Sequence, residues 1–273
     1  MKKLNRTLLI GGVSLAVLVP VSMAVASDGM SGNGRGNGRG NGQNCDSSQQ
    51  MQQHQGGGVG SGGPGRMGNG TGMNNGSDRR DGTMSGSISS LRIQLDALPK
   101  AALTADERAG LVRMREEEKL AHDVYVALDA TWNVQVFDNI AAAEQTHSDA
   151  VQLLLDRYGI ADPAAGEAAG TFTDPELQTL YTSLVQQGNT SLVSALTVGA
   201  TVEDLDLADL QARSTSTPDI ALVYANLERG SRNHMRAFTM QLGRNGATYT
   251  PAHITQAAYD AIVDGGMEHR PLG

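Results

Sequence analysis

NIAAAEQTHSDAVQLLLDRYG, residues 139–159, repeats apolar residues at three- and four-residue steps, which is the pattern of one face of a helix. Extended back to Phe137, the stripe reads Phe137, Ile140, Glu144, His147, Val151, Leu154 and Tyr158, and Gly159 supplies the stop. Two members are ionisable. A lone buried carboxylate is costly to desolvate and tends to take up a proton, so Glu144 and His147 in this place need a reason.

Three further long helices are read outward from this one. Before it, Leu111, Met114, Glu118, Ala121, Tyr125, Leu128 and Trp132 form one stripe of a helix that starts near a Thr104 cap. After it, a loop and a short helix at 175–187 lead to a helix over about 191–213. That helix carries Leu192, Leu196, Gly199, Glu203, Asp206 and Leu210 on one side. The last long helix starts at Thr217-Pro218, ends at Gly243 and lines up Ile220, Tyr224, Leu227, Ser231, His234 and Phe238. No segment alternates with period two for long enough to be a strand. Four long helices with two short links and about 30 residues between the second and third predict an all-α fold, a four-helix bundle with one long crossover that contains the short helix.

Each stripe carries ionisable groups near its middle: Glu118; Glu144 with His147; Glu203 with Asp206; and His234. Carboxylates and imidazoles that converge in one bundle core can share divalent metals. In Glu-x-x-His the two side chains lie one turn apart on the same face, so the carboxylate can bridge two ions while the imidazole caps one. Glu144 and His147 are therefore read as ligands. Glu116 and Glu117 fall elsewhere on their helix and read as a solvated face, as do Arg229, Arg232 and Arg236. His122 belongs near a helix edge. Tyr125 and Tyr224 read as core or supporting donors, and the segment holding His253 is expected to fold back over the bundle end.

The rest of the chain sets the compartment and the boundaries. Residues 1–26 pair Lys2, Lys3 and Arg6 with an apolar run and Ala24-Val25-Ala26, the signature of a signal peptide. The protein is expected to be exported, periplasmic or extracellular, with no stable membrane span after cleavage. Residues 27–90 hold 20 of the chain's 34 glycines and only eight apolar residues, so they are expected to be disordered and to act as a tether. Met30, Met51, Met67, Met73 and Met84, with Cys45 and His54, are soft-metal donors, but their irregular spacing makes no ligand set. Cys45 is the single cysteine, so no intrachain disulfide forms. The domain is expected over 91–265, with 266–273 a flexible tail. From Ile88 onward 13 Lys and Arg face 25 Asp and Glu, a balance that argues against nucleic acid and for cations as partners.

MREEEKLAHDVYVAL (114–128), NIAAAEQTHSDAVQLLLDRYG, LTVGATVEDLDLADL (196–210) and VYANLERGSRNHMRAF (223–238) resemble, in order, the signature segments of the family called domain of unknown function 2202, within the ferritin-like superfamily. The resemblance covers about residues 95–262 and implies a ferritin-like four-helix bundle. Carried over residue by residue, it implies Glu118, the pair Glu144-x-x-His147, Glu203 and His234 as ligands. The last helix departs from the superfamily pattern: Ser231-x-x-His234 stands where Glu-x-x-His is expected. Asp206 is the candidate to replace the missing carboxylate, with Glu228 an alternative; without a replacement the site would hold one metal.

Two classes of function follow. As an enzyme, the domain would bind two iron ions, with manganese or zinc as alternatives, and react with oxygen or peroxide as a ferroxidase, peroxidase or small oxidase. As a non-catalytic module it would bind or sequester metal outside the cytoplasm. Cage-type storage ranks third, since a long flexible arm does not suit a closed shell. No haem, flavin or nucleotide motif competes: the glycine repeats lack the strand and helix that a phosphate loop needs. The oligomeric state is open, a homo-oligomer included.

Overall fold

A computed structural model describes residues 78–269. Seven helices and no strand occur among them: α1 (Asp78–Ala97), α2 (Ala105–Trp132), α3 (Gln135–Tyr158), α4 (Pro175–Gly188), α5 (Leu192–Ala212), α6 (Pro218–Arg244) and α7 (Gln256–Asp264). The fold is all-α. The expected signal peptide and most of the glycine-rich tract, with Met30, Met51, Met67, Met73, Cys45 and His54, lie outside the described residues, while Met84 falls within α1. Among those described, no helix is long and apolar enough to cross a membrane.

Local chemistry explains where the helices begin and end. Thr104 and Glu107 form a reciprocal capping box at the start of α2, which satisfies two donors that the first turn leaves open. Asp174 accepts from Glu176 N ahead of Pro175, and Ser191 accepts from Ser194 N. α6 opens with Pro218, whose missing N–H costs nothing in a first turn. α3 stops at Gly159, whose φ of 63° is left-handed, a conformation cheap for glycine. α6 runs through the expected stop at Gly243 and reaches Arg244.

α2 packs along α3 and α5 along α6, while contacts of α3 with α6 and of α2 with α5 close the ring. α4 lies against α2 and α5. The apolar interior has two parts. One contains Leu111, Met114, Val151, Leu154, Ile220, Val223 and Leu227. The other centres on Tyr125, Phe137 and Phe238, whose ring centroids lie 5.3 to 6.5 Å apart. Gly199 makes room there, since a Cβ at that position would meet Phe238 Cε1 at 2.4 Å. Along each long helix the ionisable stripe residues fall between these two layers.

Both expected boundaries of the domain shift. The line drawn at residue 90 falls inside α1, because Leu91 and Leu95 are buried against the core that includes Leu154 and Tyr158. At the other end, residue 268 is not free. Arg232 and Arg236 hold the Glu268 carboxylate and Asn233 holds its backbone. The fold-back of the segment around His253 is present: Asp204, fully buried in α5, accepts from Tyr249 Oη and from the amides of Ala252, His253 and Ile254.

Candidate metal centre

Four helices each send carboxylates or imidazoles into the interval between the apolar layers. From α2 comes Glu118, from α3 Glu144 and His147, from α5 Glu203, and from α6 His234. The three glutamates are 1 to 2 % exposed. Glu144 sits at the centre. Its Oε2 lies 2.7 Å from His147 Nδ1, and its Oε1 lies 2.8 Å from His234 Nδ1. Glu118 Oε2 approaches His147 Nδ1 at 3.4 Å, and Glu203 Oε2 approaches His234 Nδ1 at 3.5 Å. Two groups of three donors result, Glu118–Glu144–His147 and Glu144–Glu203–His234, each with one donor atom per residue inside a 4.8 Å span. Glu144 belongs to both. The imidazole rings stack with centroids 5.5 Å apart.

Electrostatics in this interval are strongly perturbed. Burial alone would disfavour an ionised Glu144, but the His234 and His147 imidazoles beside it outweigh that cost and hold its carboxyl below the ordinary range. Burial pushes Glu118 up to about 8 against the pull of His147, and burial raises Glu203 as well. His234 is disfavoured as a cation by burial, yet Glu144 and Glu203 carry it up to about 10. His147 is raised by Glu144 and Glu118 against the same burial. Two buried atoms of this interval stay unsatisfied. Glu118 Oε1 has no hydrogen-bond partner, and His234 Nδ1 has only close carboxylate oxygens without the alignment of a hydrogen bond. Unpaired buried polar atoms cost free energy, and a cation among these acceptors and imidazole nitrogens would relieve it. Three carboxylates and two imidazoles fit iron, manganese or zinc.

Asp206 is the sequence candidate that joins neither group of three. Its carboxyl accepts from the Ser231 hydroxyl, and burial, reinforced by the nearby charges of Glu118, Glu203 and Glu144, pushes it well above the ordinary carboxyl range. It stands beside the donor set, tied to Ser231 of α6. Glu228 pairs with Arg232 at 3.2 Å on the helix exterior. Tyr125 supports the site directly: its Oη donates to Glu203 Oε1 at 2.5 Å.

The solvated reading of Glu116 and Glu117 is overturned. Glu116 is 3 % exposed, and its Oε1 accepts from Thr173 N at 2.6 Å and from Thr173 Oγ1 at 3.0 Å. The chain ahead of α4 crosses α2 at that point, and its amides need an acceptor. Arg113 holds Glu117 Oε1, while Oε2 is buried without a partner. Burial and the adjoining Asp209 push Glu117 up to about 8. The helical period of α2 assigned both residues correctly to other faces of the helix. What covers those faces was not written in it. The Thr173-Asp174-Pro175 cap was the one available hint that a loop needed anchoring nearby.

Fold and site together define an all-helical protein with carboxylates and imidazoles from four helices gathered in its interior. The chain belongs to the family described as an uncharacterized protein domain, DUF2202, whose model matches residues 107–266. It is similar to the uncharacterized protein MJ0754 of Methanocaldococcus jannaschii, 48 % identical over 176 residues that make up 64 % of this chain and 95 % of that relative. The crystal structure of hypothetical protein MJ0754 from Methanococcus jannaschii DSM 2661 superposes with a TM-score of 0.62 at 49 % identity, covering 63 % of this chain and 99 % of that one.

Proposed function

We propose that α2, α3, α5 and α6 form a ferritin-like four-helix bundle that holds a dinuclear metal centre, with iron as the first choice and manganese or zinc as alternatives. The observation that carries this reading is the division of Glu144: each of its carboxylate oxygens faces a different imidazole. A residue that serves two groups of donors is what a shared carboxylate ligand requires. Glu118 and His147 would hold one ion and Glu203 and His234 the other, with Glu144 common to both. Asp206 takes the role of a neighbouring acid rather than a ligand, and Ser231 orients it.

The activity proposed is that of a ferroxidase, peroxidase or small oxidase in an exported, periplasmic or extracellular protein. Two ferrous ions bound there would supply one electron each, which with two protons is enough to reduce peroxide to two waters. The protein's own groups prepare for this in three ways. Tyr125 Oη fixes one oxygen of Glu203. The nearly complete burial of the three glutamates keeps bulk water away from the charge they carry. Asp206 stands beside them as an acid, its carboxyl raised above the ordinary range in the metal-free site by burial and by the charges of Glu118, Glu203 and Glu144.

A non-catalytic metal-binding or sequestering module is the second reading, favoured by Ser231 where a fourth carboxylate ligand is expected. Ferrous loading of the metal-free protein under nitrogen, followed by oxygen or peroxide, separates the two. About two ions per chain and a change in the visible spectrum on oxidant addition are expected. Bound metal without a spectral response would leave the binding module, and no bound metal would end both readings.

A further inference from the structure

Gly230 lies inside α6, one residue before Ser231. A Cβ built there would come within 2.3 Å of His147 Nε2 and 2.4 Å of His147 Cε1, far inside the ~3.5 Å of ordinary contact. Its backbone gives no separate reason for glycine, because it is absent from the positive-φ positions of the described residues. A glycine in a helix interior weakens the helix, so this position trades helix stability for space. The space is used by one side chain, since the two atoms that would clash both belong to the His147 ring.

That ring cannot easily move aside. Its Nδ1 edge is drawn to Glu144 at 2.7 Å and Glu118 at 3.4 Å, and its face stacks on His234. With Nδ1 turned to the carboxylates, the outer end of the ring, Nε2 with the neighbouring Cε1, projects at α6, where Gly230 carries no side chain to meet it. A methyl group there would force the ring to turn, and the turn would take Nδ1 away from both carboxylates.

We propose that Gly230 is a positioning residue of the metal centre: its missing side chain is the notch in α6 that admits the His147 ring edge and so aims His147 Nδ1 at Glu118 and Glu144. This rests on the metal-binding reading for its functional meaning, though the steric claim stands on geometry alone. The notch bears on the His147 half of the centre, because the three nearest atoms that a Cβ there would meet all belong to His147.

A double-mutant cycle tests the idea. Wild type, Gly230→Ala, His147→Ala and the double variant are made metal-free, and their melting temperatures are compared. Each is then loaded with manganous ion, and the ion retained after gel filtration is counted by elemental analysis. Gly230→Ala is expected to lower retained manganese from about two to about one, as His147→Ala does, and to lower the metal-free melting temperature. In the His147→Ala background the same alanine is expected to raise the melting temperature by a few degrees, because only its better helix propensity remains. Gly230→Ala that keeps both ions and melts higher than wild type would overturn the proposal. So would an alanine that stays disruptive once the imidazole is gone. If wild type retains no manganese, manganese is removed from the metal reading, while the metal-free cycle still decides the role of Gly230.

Discussion

Glu144 is the residue at which the two halves of the site meet, and truncation distinguishes it from its neighbours. Glu144→Ala is expected to lower retained manganese from about two ions per chain to about none, while Glu118→Ala or Glu203→Ala leaves about one. Asp206→Asn keeps the group that Ser231 bonds and is expected to leave about two, since Asp206 belongs to neither group of three donors. Elemental analysis after gel filtration reads all four. A single ion in Asp206→Asn would make Asp206 a ligand after all. Full loading of Glu144→Ala would dissolve the shared-carboxylate argument.

At the scale of elements, two buried or capped carboxylates join parts of the chain that are far apart in sequence. Asp204 on α5 takes four hydrogen bonds from residues 249–254. Asp204→Ala leaves those donors unsatisfied and should cost roughly 3 kcal/mol or more. Limited proteolysis is expected to cut first between α6 and α7 in that variant, and an unchanged cleavage pattern would refute the role. Glu107 joins the start of α2 to the α5–α6 link. Thr215 and Thr217 donate to its side chain, as does the Thr104 amide, and together they lower its pKa from 4.5 to about 2. A carboxyl depressed by folding stabilises above its unfolded value and loses that contribution as pH falls through its folded value. Glu107→Gln should therefore melt below wild type at neutral pH, with the gap closing between pH 4.5 and about 2. A gap that persists at the acid end would point to lost packing instead.

On the scale of the whole molecule, α1 is part of the core although it precedes the family match at residue 107. Leu91 and Leu95 are 3 % and 2 % exposed. Losing two buried leucines costs roughly 3–6 kcal/mol before the ordering entropy of the helix is returned. A chain that starts at Lys100 is expected to melt well below one that starts at Met73. The Met73 chain should melt close to the full-length protein, because residues 27–72 offer so few apolar groups to a core. Equal melting of the Lys100 and Met73 chains would show that α1 adds nothing.

Sequence by itself determined the helices that bury a continuous face. A stripe such as Phe137 to Tyr158 repeats with the helical period whatever lies opposite it, so the extent of α2, α3, α5 and α6 and the inward side of each were legible, as were the Thr104 and Gly159 ends. The same period put Glu118, Glu144, His147, Glu203 and His234 on inward faces. Only the tertiary structure decided what those faces meet. Which imidazole each oxygen of Glu144 faces, whether Asp206 reaches the donor set or stops at Ser231, and why residue 230 carries no side chain are distances between helices, and no spacing along one chain encodes them. The burial of Glu116, the half-buried place of Glu117 and the pairing of Glu268 with Arg232 and Arg236 were hidden for the same reason. Each is covered by a segment or met by a partner far along the chain, and a local pattern records the face of a helix without recording its neighbour.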